Sequence, residues 1–228
     1  MMNQIQNFFS MFDWSTLGYM GIRAAAVLFC IMVHEVCHGL LAYALGDPTA
    51  KSRGRLTFNP LRHISLLGFL MMLTVRVGWA KPVPIDLRYF KHPKWGMALT
   101  ALAGPASNFV LAFLALLVAA PLRFVLPEFL LLFLMETALL SIGLGLFNLI
   151  PIPPLDGSRV LAAFLPDRLY YGLMRYERYF IILIVVVMYM GFLSTQLTYA
   201  LFTVLGNFCV LTGFPAALFV QYLNLGVL

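Results

Sequence analysis

Charge is what this 228-residue sequence has least of. Asp, Glu, Lys and Arg make up 11% of it, against 62% hydrophobic residues, and its mean hydropathy is +0.91. Soluble domains carry roughly 25% charged residues, so this composition excludes an ordinary soluble globule. Cysteine is scarce too. Cys30, Cys37 and Cys209 form no CxxC pair, which excludes a disulfide framework or a cysteine-rich zinc module. No long-period repeat, low-complexity linker or separate soluble domain interrupts the chain. Residues 1–16 contain no Lys or Arg, so a cleavable signal with a charged leading region is not expected. An isolated basic tail is also missing. The net charge of +6 therefore reads as membrane topology, with no nucleic-acid partner expected.

What the sequence does have is long apolar runs, near 17–45, 95–120, 128–150, 178–196 and 198–222. Each approaches or exceeds the ~20 helical residues that cross a bilayer, and a shorter run at 64–75 is expected to be re-entrant. The fold class is thus an all-α polytopic membrane protein with about five transmembrane helices. Its positive charges are distributed unevenly. Lys51, Arg53, Arg55 and Arg62 follow the first run, Lys81, Arg88, Lys91 and Lys94 precede the second, and Arg159, Arg168, Arg175 and Arg178 lie between the third and fourth, while the other side has Arg123. The positive-inside rule then predicts an N-terminus outside and these three segments in the cytoplasm; the plasma membrane is the expected location.

Inside the first run stands VHEVCHG, residues 33–39. Ionisable groups are costly in hydrocarbon, so three within five residues mark a functional site. On a helix His34 and His38 lie one turn apart on one face, as two imidazoles must to share a zinc ion, with Glu35 beside them as a general base. Orientation puts the segment following the third run, NLIPIPPLDG at 148–157, at the same depth. Asp156, in an irregular turn after several prolines, is the best-placed third ligand. Taken alone, LDG also reads as a turn or helix cap. Cys30, four residues before His34, and Cys37 could compete for metal, but read better as small packing residues. Arg23 and Glu136 lie in apolar runs with no specific role, and His63 reads as a loop residue.

HEVCH together with NLIPIPPLDG resembles the paired signature of the site-2 protease family, the intramembrane zinc metalloproteases. GRLTFNPLRHI at 54–64, GWAKPVP at 78–84 and AGPASN at 103–108 extend the similarity over most of residues 30–165. One departure is Ser65-Leu66 after His63-Ile64, where related sequences often have Asp-Pro. No PDZ-like insertion or nucleotide-binding regulatory module is present. The resemblance implies that His34, His38 and Asp156 hold one zinc ion, that Glu35 activates the attacking water, and that Asn148 stabilises the scissile carbonyl. It also implies short cytoplasmic-side strands near the site, where Trp79, Lys81, Pro82 and Val83 would bind an extended substrate; a simple interfacial anchor is the other reading of that segment. Gly104 and Pro105 are expected to support packing, with Asn108 contacting a ligand from outside. The expectation is one membrane-embedded domain over 1–228, with a catalytic core at about 17–165 and further helices at about 178–222. It would cleave a membrane protein or peptide within the lipid bilayer. A non-proteolytic zinc protein, either a transporter or an inactive scaffold, is the alternative.

Overall fold

The computed structural model describes residues 14–59, 62, 81–175, 180, 183–184, 186–187 and 190–224. In hydrocarbon a backbone has only itself to bond to, so the apolar runs fold as helices. They are α1 (Trp14–Ala44), a single turn α2 (Thr49–Ser52), α3 (Pro93–Leu122), α4 (Glu128–Asn148), α5 (Asp156–Ala162), α6 (Asp167–Arg175), α7 (Ser194–Thr212) and α8 (Ala217–Asn224). Proline marks two of the starts. Pro93 opens α3, where its fixed φ suits the first helical position, and Pro127 precedes α4.

Helices α1, α3 and α4 pack against one another, α5 lies on α3, and α7 leans on α4 and α3. Their shared core is built from small residues. Ala112, Ala115, Ala119 and Ala120 of α3 meet Ala138 and Ile142 of α4, with Leu205 and Cys209 of α7 and Phe219 of α8 closing the cluster. Lipid tails are as apolar as leucine, so helices in a bilayer associate through close van der Waals packing, which small side chains permit. Two polar side chains in this core find partners there. Glu136 is buried and accepts a hydrogen bond from the Tyr222 hydroxyl at 2.6 Å. The Ser141 hydroxyl donates to Cys30 Sγ at 3.1 Å, which puts Cys30 in the α1–α4 seam as packing. Arg23 lines an apolar cavity of about 440 Å³ between α1, α4 and α7.

Among the described residues four helices are long and apolar enough to cross a membrane: Leu17–Ala44, Pro93–Leu122, Glu128–Asn148 and Ser194–Thr212. The first three coincide with the expected runs. The fourth expected run, 178–196, falls largely outside the described residues, as do the re-entrant piece at 64–75 and His63. The expected run at 198–222 is corrected. Helix α7 starts earlier, at Ser194, and stops at Thr212, where Gly213 adopts a left-handed φ of 71°; Pro215 follows, and the chain resumes as α8. Glycine after the last turn with proline two residues on is a strong helix stop, and hydropathy does not register it. No strand occurs among the described residues, and residues 81–86 run without regular hydrogen-bonded structure.

Candidate metal centre

Two sequence features bring the site together. His34 and His38, at i and i+4 near the end of α1, present their rings edge to face with centroids 4.5 Å apart. The third side chain comes from 122 residues away. Helix α4 ends at Asn148, and Pro151, Pro153 and Pro154 prevent its continuation, so the chain folds back before α5 begins at Asp156. Gly157 makes that reversal possible, because a Cβ there would lie 2.8 Å from the Ile150 carbonyl oxygen.

Asp156 Oδ2 lies 3.1 Å from His34 Nε2 and 3.2 Å from His38 Nε2, and the two Nε2 atoms are 2.9 Å apart. Hydrogen positions follow from the outer partners. His38 Nδ1 sits 2.6 Å from the Thr100 carbonyl oxygen. That oxygen can only accept, so Nδ1 carries the hydrogen and Nε2 keeps its lone pair. The Asn108 amide nitrogen lies 3.1 Å from His34 Nδ1; donating there, it puts the His34 hydrogen on Nε2, and with the amide turned over, its oxygen accepting, His34 Nε2 has a lone pair as well. In the first arrangement a single hydrogen on His34 Nε2 serves two acceptors, His38 Nε2 and Asp156 Oδ2. Buried acceptors gathered this closely repel one another unless a cation lies between them. The donor set, two imidazoles and one carboxylate, fits zinc.

Gly104 of α3 supplies the room. A Cβ at that position would lie 2.6 Å from His34 Cε1 and would also overlap the His38 ring at Cε1 and Nε2. Sequence reading had this glycine as helix packing; the structure puts it directly against both imidazoles.

His34, Glu35, His38, Pro82, Val83, Asn148, Asp156 and Arg159 share the lining of one cavity of about 170 Å³. Asn148 donates one amide hydrogen to Leu144 O at 2.9 Å. Glu35 accepts a hydrogen bond at Oε2 from the Val83 N–H, 2.9 Å. The Val83 amide, in the segment expected to bind an extended substrate, is therefore engaged already by Glu35. Lys81 points to solvent, and Trp79 lies outside the described residues. Cys37 is half-buried next to His38 and joins no hydrogen bond to the cluster. Arg159 was missed and counted only as topology. Its signal was its place three residues after Asp156, on the same face of α5.

A helical bundle with helices long enough to cross a membrane, gathering HExxH and a distant aspartate around one cavity, defines the class: a membrane protein with a metal-fitting site. Residues 125–194 match the family model described as "Peptidase family M50". A protein of Bacillus subtilis (strain 168) named "Putative zinc metalloprotease YwhC" is 36% identical over 164 residues, which cover 68% of this chain and 74% of that protein. "Putative zinc metalloprotease Rip2" of Mycolicibacterium smegmatis is 31% identical over 163 residues, 64% of this chain and 59% of its own. Its namesake in Mycobacterium tuberculosis (H37Rv) is 33% identical over 162 residues, with the same coverage. The chain thus spans about three fifths of the Rip2 proteins' length. No solved structure matches. The chain belongs to peptidase family M50, the site-2 protease family of zinc metalloproteases.

Proposed function

We propose that the protein is an intramembrane zinc endopeptidase that hydrolyses peptide bonds in membrane-spanning or membrane-bound proteins, using His34, His38 and Asp156 to hold one zinc ion. The observation that carries this reading is that the metal-fitting trio and Glu35 share one cavity at the ends of two membrane-spanning helices. Bound zinc supplies a water acidified to a pKa near ~7 and a Lewis acid for the scissile carbonyl.

The chain's own residues do the rest. Glu35 has Oε2 engaged by Val83 N–H, which turns Oε1 toward reacting groups; there it takes a proton from the attacking water and later delivers it to the leaving amine. The second amide hydrogen of Asn148 is available to the oxyanion that develops on the carbonyl. A cavity of about 170 Å³ has room for water, and a folded helix would keep its carbonyls in its own hydrogen bonds, away from the attacking water. The substrate must enter as extended chain, with Trp79, Lys81, Pro82 and Val83 on its path. The excess of Lys and Arg in the segments after α1, before α3 and after α4 supports a site opening toward the cytoplasm of a plasma-membrane protein with its N-terminus outside.

The test is to purify the protein, measure bound zinc, and compare wild type with Glu35→Gln on unstructured and membrane-embedded peptides. Retained zinc with lost cleavage in the variant is the expected result. Zinc binding with no cleavage by wild type would favour the transporter or scaffold reading, and equal activity of the two forms would remove Glu35 from the chemistry.

A further inference from the structure

The segment 81–86, KPVPID, crosses the site held at both ends by buried charges. At one end Arg55, 8% exposed, donates from Nη2 to the Pro82 carbonyl at 3.1 Å and to the Lys81 carbonyl, and from Nη1 to the Arg62 carbonyl. At the other, Asp47, fully buried, accepts the Asp86 N–H at 2.7 Å through Oδ2 and the Thr49 N–H at 2.9 Å through Oδ1. Beyond it, hydrogen bonds from Arg88 pull the Asp86 carboxyl down to about 2, so that end stays ionised. Between the anchors the Val83 N–H meets Glu35, and the Val83 side chain is 6% exposed. Pro82 and Pro84 have no N–H to offer, so few donors in the segment compete for that position.

We propose that Arg55 and Asp47 are positioning residues for the catalytic site: they fix the 81–86 backbone so that the Val83 amide holds one oxygen of Glu35 and aims the other at the reacting atoms. The inference rests on Glu35 being the general base. Buried charges are tolerated only when their hydrogen bonds are satisfied, and here two of the three acceptors of Arg55 and a donor to Asp47 come from the segment in question. A glutamate otherwise samples several rotamers. A peptide N–H fixed in space selects one, and misplacement by an ångström costs on the order of 100-fold in rate. An arginine merely marking cytoplasmic topology would be replaceable by lysine. One binding three carbonyls with its planar fork is not.

The experiment compares wild type, Arg55→Lys and Asp47→Asn for zinc content, kcat and KM on one peptide, and amide hydrogen exchange over residues 81–86. Arg55→Lys keeps the charge; Asp47→Asn acts at the opposite anchor and serves if the first variant fails to fold. Both are expected to retain zinc, to exchange the segment's amides at least about tenfold faster, and to lose about 10- to 100-fold in kcat with little change in KM. Wild-type exchange in the segment, or wild-type kcat in Arg55→Lys, overturns the proposal. Exchange needs no turnover, so it decides the clamp even if the wild type cleaves nothing, an outcome that counts against the protease reading instead.

Discussion

His34 and His38 are each held from behind, by Asn108 and by the Thr100 carbonyl. Such outer partners fix ring orientation, and losing one typically weakens metal binding 10- to 100-fold. Asn108→Ala should therefore lower zinc affinity by about that factor with the bundle intact, measured by competition with a chelator. Asp156→Ala, which removes a ligand, should abolish both zinc retention and cleavage while leaving a folded membrane protein, because helix insertion does not depend on the metal; full zinc occupancy would remove Asp156 from the ligand set. If Val83 served an extended substrate alone, Val83→Pro would weaken only the pairing of large substrates. The structure changes that expectation: the variant loses the Glu35 bond, so turnover of short peptides should fall as well, and normal turnover on them would show that Glu35 needs no such support. The closeness of His34 and His38 was legible because a helix turns i/i+4 spacing directly into geometry. Thr100, Gly104, Arg55 and the Val83 amide were not, since each acts across elements through a backbone group or through the absence of a side chain, neither of which leaves a mark in residue type.

At the scale of elements, hydropathy read α1, α3 and α4 to within a few residues, since each is an apolar run ended by proline or a polar turn. It misread the C-terminal part, where α7 and α8 are both apolar and a left-handed glycine divides them. Helix α8 is held to α4 by the Tyr222–Glu136 hydrogen bond. Tyr222→Phe would leave a buried carboxylate without that donor, at a cost of about 1–3 kcal/mol; the expected result is faster hydrogen exchange over 217–224 with unchanged exchange in α1. Ala138 is fully buried at the heart of the small-residue core. Ala138→Leu should overpack it and destabilise the bundle by about 1–3 kcal/mol, seen as a lower unfolding temperature in detergent, whereas a stability equal to wild type would mean that the helices can part there without loss.

For the molecule as a whole, the charge asymmetry is the clearest statement in the sequence, and it predicts sidedness. In a variant lacking native cysteines, Cys placed at Lys51 or Arg168 should react with an impermeant thiol reagent only from the cytoplasmic side, and Cys at Val125, exposed between α3 and α4, only from the other. The reverse pattern would turn the molecule over in the membrane.

The distance along the chain between His34 and Asp156, 122 residues, also has a meaning in time. A ribosome adding roughly 5–20 residues per second needs about 6–24 s to make the intervening stretch. Through that interval the histidine helix exists while its carboxylate partner has yet to be synthesised. Nor are the backing groups at Thr100 and Asn108, or the α3 surface that seats the imidazoles, in place at its start. A three-ligand site of this kind could be completed only late in synthesis, once α4 and the turn after it exist. A stalled or truncated nascent chain carries two histidines without a pocket, and so remains chemically silent in the membrane until its maker has finished the turn at residue 156.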